Sequence, residues 1–299
     1  MKFLIVGLVK SPLLARLVVE GEKRGHSVDG CYVSELTVVA SNTEFTPTLR
    51  GKSLDYDLVA LWSLGKRRWE WYVTAEFLND TKDTVIVNSK VVDKSYNLYL
   101  SPLSSYLKQM NENIPFPKSA AIFSKLSIPS IIGSFAFPVI VKSSQGRQGR
   151  GVFKADDLRA LNQNVGELEN AKEAIIVREF IPNDGDIRVF TVGYKAIGAM
   201  KRTPPAGDFR SNISVGGEGE YFDLDENPEI KNLAEKASKI TKTEIAGVDI
   251  MIHKETGKPY ILEVNPGPQF TGLEKYAGVN AAAEIVKYFE SRVSKSISQ

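Results

Sequence analysis

Residues 246–268, AGVDIMIHKETGKPYILEVNPGP, decide how this chain is read. Val248, Ile250 and Ile252 alternate with Asp249, Met251 and His253, and Leu262 and Val264 alternate with Ile261, Glu263 and Asn265. Period-two alternation marks strands, because successive side chains point to opposite faces. The connector Glu255-Thr256-Gly257 suits a three-residue hairpin loop with glycine in the left-handed position. Such a loop puts Asp249 directly opposite Glu263, with Asn265 two residues along on the same face. Two carboxylates and an amide oxygen then crowd one patch, where like charges repel. A hard divalent cation relieves that repulsion, since Mg²⁺ takes oxygen ligands and shares its shell with waters and phosphates. The same spacing also fits a solvated hairpin face whose acids are unrelated, Asp and Glu being ordinary surface residues.

The 299 residues are enough for two or three modest domains, and 42% apolar with 25% charged residues is the make-up of a soluble globular protein. A net charge of +2 gives no global field favouring nucleic acid or a membrane. One cysteine, Cys31, excludes an internal disulfide and a Cys-rich zinc site, and suits a reducing, cytoplasmic setting. Two histidines argue against a His-ligated metal. No apolar run approaches the roughly 18–20 residues that span a bilayer, and MKFLIVGL, followed by Lys10 and Arg16, is not expected to be a cleavable signal.

Outward from the hairpin, Phe3 to Leu8 is a continuous apolar run of the kind buried in parallel sheets. Ser11-Pro12 opens a helix by hydroxyl cap and first-turn proline, and apolar runs recur at Val28–Val33, Asp57–Trp62 and Thr84–Val87. Strand–helix–strand order at this length predicts an α/β domain with a parallel sheet. Gly7 stands outside any G-x-G-x-x-G, so dinucleotide binding has no support. The stretch GKRRWEWYV, 65–73, mixes Lys66, Arg67 and Arg68 with Trp69, Trp71 and Tyr72. It reads either as a helix start with one solvated face or as a dock for an acidic or nucleic-acid partner, a partner whose binding would depend strongly on salt.

Residues 88–110 read as helical with a boundary at Ser101-Pro102, and Ile114-Pro-Phe-Pro117 breaks the pattern before a further domain. Pro138 to Lys142 is a strand running into SSQGRQGRG, 143–151. Its glycines allow backbone N–H groups close to an anion, and Lys142 at the strand's end adds a point charge. The loop also fits a flexible hairpin tip, and it is not a Walker loop. Ala174–Ile181 is a strand interrupted by Arg178 and Glu179. Ile187–Tyr194 and Ala196–Met200 form a hairpin after the Asp184-Gly185-Asp186 turn. Asn227-Pro228-Glu229 opens a helix whose stripe of Ile230, Leu233, Ala234, Ala237 and Ile240 is core packing, and a last helix from Val279 to about Val293 packs back on the sheet.

Four pieces stand in fixed order: PVIVK with its glycine loop, VREFI with GDIRVF, KRTPPAGDFRSN, and AGVDI…LEVNPGP. In that order they resemble the ATP-grasp ligases, most closely the RimK-type branch that adds glutamate or related amino acids to an acceptor carboxylate. The resemblance covers residues 85–289, and the first 80 residues share strand order alone. It implies an α/β fold in three parts: an N-terminal parallel α/β domain (1–90), a small central lid (91–177) and a C-terminal antiparallel-sheet domain (178–299).

It also implies the site. Lys94 and Lys142, with the loop at Ser144, Gly146 and Gly149, contact ATP phosphates. Glu179, Phe180 and Ile181 hold the adenine and ribose edge, Asp186 the ribose, Lys201 the nucleotide, and Asn212 the phosphate–metal region. Asp249, Glu263 and Asn265 bind one or two Mg²⁺, with Mn²⁺ as a substitute, on the same three residues the alternation singled out. Arg188 and Arg210, together with Asn265, grip substrate, the two arginines as bidentate forks. Arg202 stands by the reacting carbonyl and, with Lys142, serves catalysis. The expected activity is an ATP-dependent carboxylate–amine ligase working through an acyl phosphate, with an amino-acid donor, a small-molecule or protein acceptor, and a homodimer or homotetramer as assembly. The alternative is a nucleotide-binding regulatory or adaptor module without turnover. Pro204-Pro205 and the 65–73 stretch depart from the branch.

Overall fold

The structure, a computed structural model, describes residues 1–64, 68–88, 102–144, 151–169, 173–205, 207–208 and 217–297. The chain opens with β1 (Lys2–Val6), α1 (Pro12–Glu22) and β2 (Ser27–Cys31). The expected cap is present: the Ser11 hydroxyl accepts from the Leu13 N–H, with Pro12 in the first turn. Three short strands follow, β3 (Leu36–Ala40), β4 (Phe45–Leu49) and β5 (Lys52–Ser53), which form their own antiparallel sheet. Then come β6 (Leu58–Leu61), α2 (Arg68–Lys82) and β7 (Val85–Val87). The main sheet of this part is parallel, in the order β2-β1-β6-β7.

Within the basic–aromatic stretch, Trp71 is buried in α2 and its Nε1 donates to the Val33 carbonyl at 2.9 Å, whereas Trp69 is exposed. The helix reading therefore accounts for its C-terminal half. Gly65, Lys66 and Arg67 lie outside the described residues.

The central part has α3 (Pro102–Asn111), β8 (Ser119–Ile122), a short turn α4 (Ile128–Ile131), β9 (Val139–Ser143), β10 (Val152–Ala155), α5 (Leu158–Glu169) and β11 (Ile175–Glu179). Its antiparallel sheet runs β10-β9-β11-β8. Val139, Val141, Ile175 and Val177 face a core closed by Leu161 and Val165 of α5. By alternation, Ile140, Lys142, Ile176 and Arg178 share the opposite face. The expected boundary between residues 177 and 178 falls inside β11, which pairs with β9 as far as Glu179.

The last part contains β12 (Asp186–Val192), β13 (Lys195–Thr203), β14 (Glu218–Tyr221), α6 (Pro228–Ile240), β15 (Ile245–Ile252), β16 (Pro259–Pro266), α7 (Thr271–Ala277) and α8 (Ala281–Ile297). Its sheet is antiparallel, in the order β14-β13-β12-β15-β16. One face, with Ile187, Val189, Val248, Ile250 and Ile261, buries the α6 stripe. Asn227 precedes α6 but makes no side-chain cap; its amide donates instead to the Asp223 carbonyl at 2.7 Å. On the other face Phe190, Val192 and Ile245 pack on Phe270 and α8, and α8 also covers the first sheet, its Phe289 meeting Phe3 edge-on at 5.4 Å. The final helix is thus shared between the first and last parts, beyond the single sheet expected for it.

The decisive hairpin is β15–β16, and Asp249 pairs with Glu263 as expected. The path to that pairing differs. His253 N–H bonds the Lys258 carbonyl, so the loop is one residue longer than expected, with Gly257 at φ +69°. The register then shifts between Asp249 and Ile250, the mark of a β-bulge at Leu262. Extra loop residue and extra strand residue cancel, and Glu263 returns to the Asp249 face.

Candidate active site

The polar half of the last sheet's second face is laid out by register. Arg202 on β13 sits beside Asp186 on β12; Arg188 on β12 sits beside Asp249 on β15, and Asp249 beside Glu263 on β16. Along β12 the same face reads Asp186, Arg188, Phe190, Val192, polar toward one end and apolar toward the other. Gly247 admits the close approach of Pro268: a Cβ there would stand 2.9 Å from the Pro268 Cβ, while Arg188 Cδ and Nε, at 3.5 Å, would be in ordinary contact with it.

Asp249 is 4% exposed. Arg188 grips it as a fork, Nε to Oδ1 at 2.7 Å and Nη2 to Oδ2 at 2.6 Å, and Arg202 Nη2 stands 3.1 Å from Oδ1. Burial alone would push this carboxyl up, but the two guanidiniums outweigh it and hold the pKa at about 2. Arg202, itself buried, also donates through Nε and Nη2 to Asp186, which is 2% exposed. Burial works against the Arg202 charge, yet Asp249 and Asp186 more than offset it and raise its pKa.

Glu263 is exposed, and Asn265 Nδ2 donates to its Oε1 at 2.8 Å and to Asp249 Oδ2 at 3.3 Å. A half-turn of that amide would present Oδ1 on the same side, so the three side chains form an all-oxygen donor set. Among the described residues no three His, Cys, Asp or Glu side chains gather as a self-sufficient cage. Two carboxylates and one amide suit an ion that completes its shell with phosphate oxygens and water, which is the habit of Mg²⁺. The donor set fits that ion.

Lys142 belongs to the lid. Desolvation, and then the charge of Arg178, lower its pKa, while Glu263, Tyr106 and Asp249 pull the other way. The lid's Lys142 face is therefore within electrostatic reach of the acids of the last sheet. Arg178, 6% exposed, donates to the Tyr106 phenol, to Ser119 Oγ at 3.4 Å and to the Leu262 carbonyl at 3.3 Å. Burial pushes the Tyr106 phenol up, but Arg178 and Lys142 outweigh it and leave its pKa lowered.

The structure brings Lys142, Arg188, Arg202, Asp186, Asp249, Glu263 and Asn265 into one region. Lys201 lies on the opposite face of β13 from Arg202 and pairs with Glu220 at 3.2 Å. Ser144 follows β9, its N–H bonded to the Ala174 carbonyl. Glu179 Oε1 accepts from the Lys118 N–H at 2.7 Å, Lys154 Nζ lies 5.2 Å from the Phe180 ring centroid, and the Ile181 carbonyl accepts from Asn183 Nδ2 at 2.7 Å. Lys94, Gly146, Gly149, Arg210 and Asn212 lie outside the described residues. Arg178 and Tyr106 were not among the expected site residues. The signal for Arg178 was a charge interrupting an apolar strand, VREFI; Tyr106 carried none.

A face that joins oxygen donors for a hard cation to paired guanidiniums, with a lysine-bearing sheet opposite, is chemistry for phosphates and carboxylates. Residues 103–289 match the family model of the RimK-like ATP-grasp domain, and the chain belongs to that family. Over 191 residues it is 34% identical to "Probable alpha-L-glutamate ligase 1" of Shewanella frigidimarina, covering 63% of this chain and 62% of that one. A "Probable alpha-L-glutamate ligase" of Ectopseudomonas mendocina is 34% identical over 182 residues, or 60% of this chain and 59% of the relative. The matched part thus spans about three-fifths of these relatives' length.

Among solved structures, D-alanine–D-alanine ligase from Bacillus anthracis complexed with ATP superposes with a TM-score of 0.70 at 16% identity, covering 100% of this chain and 99% of that one. The ATP-grasp ligase PsnB complexed with minimal precursor, Mg and ADP superposes with a TM-score of 0.68 at 16% identity, covering 98% of each chain. At such identities these likenesses establish the fold, which is that of ATP-grasp ligases.

Proposed function

We propose that the chain is an ATP-dependent ligase that joins a carboxylate to an amine, adding glutamate or another amino acid to an acceptor carboxylate. The observation that carries this reading is the Asp249–Glu263–Asn265 donor set lying against Arg188 and Arg202 with Lys142 opposite. It agrees with the family and with the ligase names of the relatives. Nothing in the structure or among the relatives favours a binder without turnover.

A carboxylate is a poor electrophile, and phosphorylation by ATP turns it into an acyl phosphate, whose carbonyl carbon an amine attacks to form the amide as phosphate leaves. The protein's work is placement and charge neutralisation. Asp249, Glu263 and Asn265 would hold Mg²⁺, which supplies charge neutralisation at the phosphates; Mn²⁺, with similar oxygen preference, would substitute. Lys142, with Lys94 and the loop at Ser144, Gly146 and Gly149, offsets charge on the transferred group. Glu179 to Ile181 line the base, and Asp186 and Asn212 complete the nucleotide site, while Lys201, on the other face of β13 and paired with Glu220, stands apart from it. The Nε–Nη2 edges of Arg188 and Arg202 are spent on internal acids. Their Nη1 groups, with Arg210, meet substrate oxygens, and Arg202 steadies the oxyanion of the tetrahedral intermediate. Asp186 acts on the nucleotide through the Arg202 it anchors, which revises its role as a free ribose ligand.

In this reading residues 1–90 act as the acceptor-side domain, the central part as far as the end of β11 at Glu179 as the lid, and the rest of the chain as the catalytic domain. An ATP-supplied, reducing cytoplasm suits a chain with one buried cysteine, and no helix among the described residues is long and apolar enough to cross a membrane. The test is an ADP-release screen over the amino acids against small-molecule and peptide acceptors, with mass spectrometry of the products. The expected result is ADP release that requires both an acceptor and an amino acid, with a product heavier than the acceptor by one or more residues. Nucleotide binding without ADP release under any pair overturns the proposal.

A further inference from the structure

On the Lys142 face of the lid sheet, Arg178 is the one residue among those described that bonds to the backbone of the hairpin that carries the acids. Its acceptor there is the carbonyl of Leu262, the extra residue of the bulge. A bulged residue falls out of the regular ladder, so its carbonyl can accept from outside the sheet. The bulge also has a consequence for side-chain direction. With the loop at its observed length and no bulge, Leu262 would stand opposite Asp249 and Glu263 opposite Val248. Glu263 would then point to the α6 core, because a one-residue slip exchanges the faces of a strand. The donor set exists only while the extra residue is accommodated at Leu262.

We propose that Arg178 is a positioning residue for Glu263: by bonding the Leu262 carbonyl it holds the bulge that turns Glu263 toward Asp249, and it ties that geometry to the seating of the lid. The rest of its environment fits the role. Tyr106 of α3 and Ser119 of β8 take other N–H groups of the same guanidinium and fix its direction. Tyr106 is itself braced by a parallel stack on Phe116, with ring centroids 5.0 Å apart. One side chain therefore joins α3, β8, β11 and β16.

The inference rests on the nucleotide–metal reading above, and its experiment separates the two. ADP is titrated calorimetrically with and without Mg²⁺ into the full chain and into Arg178→Met and Arg178→Lys, with thermal midpoints as the folding control. Wild type is expected to bind ADP more tightly with Mg²⁺. Arg178→Met, of similar length and without donors, should lose most of that tightening, about tenfold for a misplaced carboxylate ligand, while metal-free ADP affinity stays within about twofold. Arg178→Lys keeps one donor and the charge and should fall between; if the Met variant does not fold, the Lys variant decides by the same ratio.

Undiminished magnesium tightening in a folded variant overturns the inference alone. An equal loss with and without Mg²⁺ also overturns it, since Arg178 would then be touching the nucleotide directly. Wild type showing no magnesium effect overturns the metal reading, and this inference with it.

Discussion

Two buried acids at one strand of the last sheet, β15, have been given opposite fates. Glu244, just before β15 and fully buried, accepts from the Tyr288 phenol at 2.7 Å and from Arg292, both on α8. Burial first, and then the Glu244 charge, push the Tyr288 phenol up, so it remains a neutral donor. One acid, one guanidinium and one hydroxyl close on themselves and fasten the last helix to the sheet. Five residues on, Asp249 is also buried and also gripped by arginine, but its neighbours do not close. Glu263 is exposed, Asn265 bridges the two carboxylates, and Lys142 faces them from another sheet. A saturated ion pair is a fastening; an ion-pair network with an exposed acid and an amide at its rim is a place for a ligand.

The sharpest way to break this contrast is Glu263→Ala. Its side chain lies at the exposed rim, so the variant should unfold within about 0.5 kcal/mol of wild type. ADP release should fall about 10⁴-fold, since a metal ligand's contribution to transition-state charge is several kcal/mol. Retention of most turnover at saturating Mg²⁺ would move the site elsewhere.

Glu244→Ala should do the reverse. Removing one partner of a buried pair costs roughly 3–5 kcal/mol, and the Arg292 side chain, 32% exposed, can turn to water and keep the loss near the low end. Urea unfolding should show that loss, while turnover per folded molecule stays as in wild type. Lost turnover at unchanged stability would mean that the two clusters are not functionally distinct.

The contrast was only half legible in the sequence. Asp249, Glu263 and Asn265 could be placed together because alternation along two short strands survives without knowledge of the rest of the fold. The pairing was nevertheless reached by a different path: the longer loop and the bulge at Leu262 cancel, and a period of two is blind to paired insertions. Which acid each arginine would meet was not readable. Arg188 meets Asp249, and Arg202 meets Asp186, only because the strand order is β13-β12-β15-β16. Spacing does not encode that order.

Arg178 finds Tyr106 72 residues earlier and Leu262 84 residues later, so only tertiary structure reveals its partners. The antiparallel sheet β3-β4-β5 was missed for another reason. Its strands are short and partly exposed: β3, LTVVA, is apolar but does not alternate, Pro47 lies within β4, and β5 has two residues.

The smallest of these effects tests whether Asp249 is held as an ion at all. Its folded pKa of about 2 lies below the ordinary 3.8. A group depressed on folding stabilises the native state above its unfolded pKa, and that stabilisation is lost as pH falls through the folded value. The window therefore runs from about pH 4 down to about pH 2, and the depression corresponds to about 2 kcal/mol. In chelator, with no divalent ion present, wild type should lose stability on acidification with a slope steeper by up to about one proton than Asp249→Asn. Parallel acid limbs for wild type and Asp249→Asn would mean that the two guanidiniums do not hold a carboxylate there, and the charge balance proposed for the ligand face would have to be redrawn.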